Sequence, residues 1–330
     1  GLYDTISALL ASAFPRNFYY ESYYIINFLT GLLGVFGLKK VIKSFFGTTT
    51  SKIFFIISIL SPIYFGHLAI NPKDTIIATA NFWVLYYVIK YLKSESVSRR
   101  KDISIKIGLF VGLGTGVRVL FLGTLIPIIF FLFVEIFFIK RISKKVNFKS
   151  FLFHIFLIIF IAYTLLIICW PNTHNNIIWD PFVVFFQSLN DSSQGVQLSY
   201  FVGKFYQTSN TPWNYIPLNL FYKMPVFYLI IFLLGVTHLR EINNCVYKNS
   251  NFFYYSYISL FFLCTPVLIA VFLNLKIHDG LRYFVYLIPL YNIIPSIFLY
   301  YLYKEFGSLK NKIVSIILLP FLIVFMIKFV

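Results

Sequence analysis

The chain has 330 residues, 59% of them hydrophobic and only 12% charged, with 41 Phe and 25 Tyr. At a mean hydropathy of +0.81 no water-soluble domain could hide its apolar surface, so the composition excludes a soluble enzyme and predicts a polytopic membrane protein. The formal net charge of +17 is spread over short loops between apolar runs, a pattern of orientation charge rather than of a nucleic-acid face.

The chain opens on GLYDTISALLASAF, residues 1–14, which ends at Pro15. It is too short to span, and its mixed pattern predicts a helix lying along the outer interface, over 1–15. Apolar runs long enough to span follow at about 22–38, 51–68, 74–92, 104–119, 120–139, 151–169, 216–236, 252–273, 281–303 and 311–329. Residues 104–139 are one run interrupted by Gly112, Gly114, Gly116 and Arg118. We read them as a tight helical hairpin, which keeps the loop charges alternating. The fold class is then all-α: a polytopic transmembrane bundle of about ten spans, a single domain over 1–330.

Most of the 28 lysines and arginines fall in the loops 39–52, 90–106, 140–149, 237–250 and 304–312. The other side keeps only Arg16, Lys73, Arg118, Lys204, Lys223, Lys276, Arg282 and Lys328. The basic set is therefore expected in the cytoplasm, and the sparse set outside. Glu135 lies near Lys140 and Arg141 and reads as a snorkelling rim residue. The long outer loop, 170–215, contains WDPFVVFFQSL, a second interfacial helix capped by Asp180 before Pro181.

The outer loops hold the candidate chemistry. In FGHLAINPKD, Asn71 and Pro72 suit the cap and first position of a helix, and Asp74 falls where a carboxylate reaches back to the cap. Lys73 opposes the helix dipole, and bare N–H groups beside a lysine suit a phosphate. His67, just before, reads either as a polar rim residue or as a group of the site. Arg118, in GLGTGVRVLFLG, is costly between two apolar runs unless paired. In TPWNYIPLNLFYKMP, Trp213 and Tyr215 fit an aromatic belt, while Lys223 lies within an apolar run. In KIHDGLRYFVYLIP, Asp279 and Arg282 share a helix face, so the carboxylate can aim the guanidinium at a phosphate. His278 beside them reads as a rim residue.

Other chemistries find no support. The three cysteines are scattered, no histidine pair has ligand spacing, and no Walker A, GxSxG or GxGxxG stretch occurs. No metal ligand is assigned.

Four of these stretches, FGHLAINPKDTIIATANFWVLYYVIKYL, GLGTGVRVLFLG, TPWNYIPLNLFYKMP and HDGLRYFVYLIP, resemble in the same order the bacterial membrane glycosyltransferases of the GT-C superfamily. These are relatives of the dolichyl-phosphate-mannose protein mannosyltransferases and the lipid A aminoarabinose transferases. The resemblance runs from about Leu2 to about Pro295, and the NPKD and DGLR stretches carry most of it. Family members more often have histidine where this chain has Tyr283. The resemblance implies an integral protein of the inner membrane with its active face to the periplasm. It implies a polyprenyl-phosphate-linked sugar donor, a lipid, glycan or protein acceptor, and inverting transfer. A divalent cation is the one cofactor it leaves room for. It makes Asp74 the acidic catalytic-site residue of this chain, and Asn71, Lys73, His67, Arg118, Trp213, Tyr215, Lys223, Asp279 and Arg282 its substrate-binding set. The family's general base lies in a first outer loop, expected upstream of Gly1. Two other classes stay open: a flippase or other transporter of lipid-linked saccharide, and an O-antigen ligase or polymerase. A transporter would place charges near mid-membrane in broken helices of two related halves, and no such repeat is visible.

Overall fold

A computed structural model of the chain describes residues 8–305, except 10, 16–17, 145, 191–197, 274 and 276–279. The expected span 311–329, most of the segment 1–15, and Asp279 lie outside the described residues. The described part is almost wholly helical, an all-α membrane protein, and it divides into two compact units. Unit 1 comprises 1–38 and 70–198, and unit 2 comprises 39–69 and 199–330.

The first helix, α1 (Tyr19–Ile59), runs through the expected loop 39–52 and breaks at one residue, Gly47, at φ 88°. Helix-forming lysines and buried Val41, Ile42, Phe45 and Phe46 carry the helix up to that point. The Lys39 ammonium lies 4.7 Å from the centre of the Phe55 ring. On a straight helix sixteen residues would separate them by about 24 Å, so the arms fold back on each other at Gly47. A loop was expected there; glycine supplies the reversal in a single residue.

Prolines decide where the other apolar runs stop. The expected span 51–68 ends at Ile59, and a separate short helix, α2 (Pro62–Ile70), starts on Pro62. Helix α3 (Pro72–Lys93) then starts on Pro72. The run 216–236 is not one straight span. It is α9 (Tyr215–Lys223) and α10 (Val226–Thr237), bent by 107°. Met224, before Pro225, is extended (ψ 131°) because proline crowds the helical conformation of its predecessor.

Unit 1 is built around α3, α4 (Val97–Val117) and α7 (Phe148–Cys169). Between α4 and α7 come α5 (Phe121–Thr124), α6 (Ile126–Val134) and one π turn, Glu135–Ile139. The 104–139 stretch does return on itself. Lys144 N–H donates to Leu92 O at 2.9 Å, and Arg100 Nη2 donates to Lys144 O at 3.3 Å and Ser94 O at 2.6 Å. The chain is thus back at the end where α4 began. The turn at the far end is held by Asn81 Nδ2, which donates to Thr124 O at 3.1 Å.

Two rim charges differ from expectation. Glu135 does not snorkel: it is fully buried, and its carboxylate accepts the N–H groups of Ile142 and Ser143. It caps the loop after the π turn, where free N–H groups would otherwise be buried. Arg100, counted as orientation charge, is also buried, against two carbonyls and the ring of Tyr91.

The glycines of the 104–119 run serve packing. An added Cβ at Gly112 would meet Leu165, and at Gly108 it would meet Ile161 and the Ile158 carbonyl. The four-residue spacing lets α4 and α7 approach closely, a usual device in membranes.

In the long loop, α8 (Asp180–Asn190) forms where a helix was expected. Asp180 accepts from Asn176 N–H at 2.8 Å, and Asn176 Oδ1 takes the N–H of Ile178 and Trp179. A hairpin follows, β1 (Leu198–Phe201) and β2 (Lys204–Gln207). Its turn, Val202-Gly203, has φ 47° and 78°, the two left-handed residues of a tight hairpin.

The core of unit 2 is α10 against α13 (Ile293–Glu305), with α11 (Phe252–Phe272) and α12 (Leu287–Tyr291). Nearly everything from Gly280 to Phe298 is buried. Tyr291 OH donates to Tyr228 O at 3.1 Å, and Tyr228 OH to Ile57 O at 3.0 Å.

Candidate functional site

The candidate residues fall into two clusters, one in each unit. In unit 1, Asn71 stands at the N-cap of α3 without a side-chain cap bond. Its carbonyl instead accepts from Thr75 N–H at 3.0 Å and Thr75 Oγ1 at 2.8 Å. Pro72 starts the helix, which presents Lys73 to the surface and turns Asp74 inward to 4% exposure.

Asp74 does not pair with its neighbour Lys73. Its Oδ1 lies 3.3 Å from Arg118 Nη1. Arg118 ends α4 in an extended conformation, with φ −154°. The full length of α4, about six turns, brings it level with the start of α3, 44 residues earlier in the chain. A buried carboxylate and a half-buried guanidinium each supply the charge the other needs. Adjacent residues on a helix point about 100° apart, so Lys73 and Asp74 cannot both face inward. Close by, Trp170 Nε1 donates to Gly116 O at 3.0 Å.

In unit 2 the elbow between α9 and α10 holds the second cluster. Tyr215, expected in an aromatic belt, is 4% exposed, and its hydroxyl accepts Gly280 N–H at 2.9 Å. Gly280 has φ 64°, which favours glycine. A Cβ there would collide with the ammonium of Lys223 and would stand 3.4 Å from Asn219 Oδ1. The glycine is thus favoured by its turn, and the Lys223 ammonium occupies the space a Cβ would take. Sequence reasoning gave Gly280 and Asn219 no part; the Asp-Gly turn signal was the clue to the first.

His67, half-buried on α2, feels both Lys223 and Arg282. Burial first, and these two positive charges next, push its pKa down to about 4. At neutral pH the cluster is therefore two cations around a neutral imidazole. Arg282 opens a short helical turn, Arg282–Phe284, directly after Gly280-Leu281. Trp213 is 67% exposed, as a belt residue would be. Among the described residues no three His, Cys, Asp or Glu side chains gather in metal-binding order.

No family model and no curated protein matches the chain. Among solved structures, the crystal structure of ArnT from Cupriavidus metallidurans in the apo state matches with a TM-score of 0.56 at 13% identity. The match covers 84% of this chain, and the chain spans 45% of the ArnT chain. Identity at that level speaks for fold alone: the chain shares the polytopic helical fold of that structure.

Proposed function

We propose that the protein is a membrane glycosyltransferase that moves a sugar from a polyprenyl-phosphate donor to a lipid, glycan or protein acceptor, with inversion. One observation carries the reading: at the turn of Gly280, beside which the Lys223 ammonium sits, Lys223 and Arg282 both lie near enough to His67 to add to the burial that depresses its pKa. Two cations beside apolar helices suit an anionic group on a lipid.

The reaction needs an acceptor hydroxyl oxygen to attack the anomeric carbon. The bond from that carbon to the phosphate oxygen breaks, the phosphate keeps the electron pair, and the hydroxyl proton passes to a base. Lys223 and Arg282 offset the charge that grows on the phosphate, and Arg282 offers a planar fork to two of its oxygens. His67, with its depressed pKa, hydrogen-bonds to the phosphate without adding charge. Asp74 is held by Arg118, so its role here is to position polar groups of the acceptor, with Lys73 and Asn71 at the same helix start. Trp213 anchors the loop at the lipid interface. The active face is the periplasmic side of the inner membrane. The sequence shows no pair of related halves, which favours this over a transporter.

Binding of a sugar-free polyprenyl phosphate tests the anion site. Lys223→Ala should weaken it about tenfold or more, while Lys204→Ala, on the exposed strand β2, should not change it. Equal binding by both variants would show that the lipid phosphate goes elsewhere.

A further inference from the structure

The opposite end of unit 1 contains a cavity of about 320 Å³ that none of the chemistry above uses. It lies where α4 and α7 both begin. Ser98 and Lys101 come from the first turns of α4, and Lys149 and Ser150 from the first turn of α7. The two helices are 21 and 22 residues long, and each presents the positive end of its dipole there. Neither lysine has a hydrogen-bond or ion-pair partner among the described residues, and no carboxylate lines the cavity. The nearest carboxylate on the preceding loop, Glu95, is taken by Lys144 at 3.2 Å.

The cavity wall supplies an independent sign of a ligand. His154 is 2% exposed, and its Nδ1 meets Tyr91 OH at 2.9 Å. Its other nitrogen has no partner among the described residues, although the ring lines the cavity. An imidazole N–H in the wall of a basic cavity can donate to an acceptor oxygen. Two lysines, two serines and this imidazole would together surround a phosphate.

The surroundings indicate what carries that phosphate. Val97 and Phe153, which also line the cavity, are half exposed. From there a continuous apolar face runs along α7 through Phe148, Leu152, Phe156 and Phe160, all exposed. Only 17% of the most apolar part of α7 is buried in the protein, against 67% of α3. Among the described residues nothing covers that face, and its chemistry suits lipid tails. A soluble anion has no use for it, whereas a phospholipid does.

We propose that this cavity is a headgroup site for an anionic phospholipid, whose phosphate sits between Lys101 and Lys149 and whose tails lie along α7. Basic pockets at helix ends recognise such headgroups in general. The proposal is independent of the glycosyltransferase reading, since it concerns the other end of the unit and a lipid without sugar.

The test is native mass spectrometry and thermal melting of the purified protein with phosphatidylglycerol or phosphatidylcholine. The wild type should retain phosphatidylglycerol and melt higher with it than with phosphatidylcholine. The double variant Lys101→Gln/Lys149→Gln should lose that preference by about tenfold or more, with melting in phosphatidylcholine unchanged. If the double variant misfolds, Ser98→Glu takes its place. A carboxylate in the first turn favours the helix yet should repel the phosphate, so preference falls while the fold holds. Equal binding of the two lipids, or preference retained in the soundly folded variant, overturns the proposal. Full stabilisation by inorganic phosphate alone would overturn the lipid assignment and leave a soluble-anion site.

Discussion

Asp74 shows how much a single residue depends on a distant one. Its carboxylate is nearly buried, and Arg118, 24% exposed, is its ion-pair partner at 3.3 Å. Removing one member leaves the other charge poorly solvated, which costs more than the pair is worth. Asp74→Asn and Arg118→Leu should therefore each destabilise the protein. The double variant should be less destabilised than their sum, by about 0.5–3 kcal/mol, in a melting or denaturant cycle. Strict additivity would mean the two groups do not interact. The sequence pointed to both residues but set Asp74 to its own helix cap, because a local contact is visible in sequence and one across 44 positions is not. The same limit hid the role of Glu135, whose partners are N–H groups of a loop seven and eight residues on.

At the scale of elements, apolar runs announced the helices and prolines announced their ends. Pro62, Pro72 and Pro225 each coincide with a break, but hydropathy averaged over a window passes across them. That is why 216–236 read as one span although the chain turns by 107° within it. Gly47 went unread for the opposite reason: the loop expected there is a helix with one left-handed residue. The glycines of α4 were noticed, and the structure assigns Gly108 and Gly112 to contact with α7. Gly112→Val should push the helices apart and cost about 1–3 kcal/mol, the usual cost of overpacking. Gly123→Ala, where a Cβ meets nothing within 4 Å, should be neutral or slightly stabilising. Comparable losses in thermal melting for both would show that α4 and α7 do not pack as described.

At the scale of the molecule, the hairpin at Arg118 and the charge alternation agree within unit 1. Lys90, Lys93, Lys101, Lys144 and Lys149 gather near one end of its helices, where Tyr91 meets His154 and Arg100 meets Lys144. Asp74 and Arg118 mark the other end. Charge counting could find this because orientation depends on loops, which sequence shows directly. The anion cluster of unit 2 was legible only as separate residues. Lys223, Arg282 and His67 come from three stretches, and only folding brings their charges together.

The central claim is that these groups serve sugar transfer from a lipid phosphate. It is tested most directly by incubating the reconstituted protein with a polyprenyl-phosphate sugar labelled in both halves, together with envelope lipid, glycan and protein acceptors. The account predicts free polyprenyl phosphate and a glycoside of inverted anomeric configuration, with turnover falling about 10²-fold or more in Lys223→Ala, as for loss of a group that stabilises developing charge. Donor that crosses the bilayer with its sugar–phosphate bond intact, and no glycoside, would contradict it and identify a transporter.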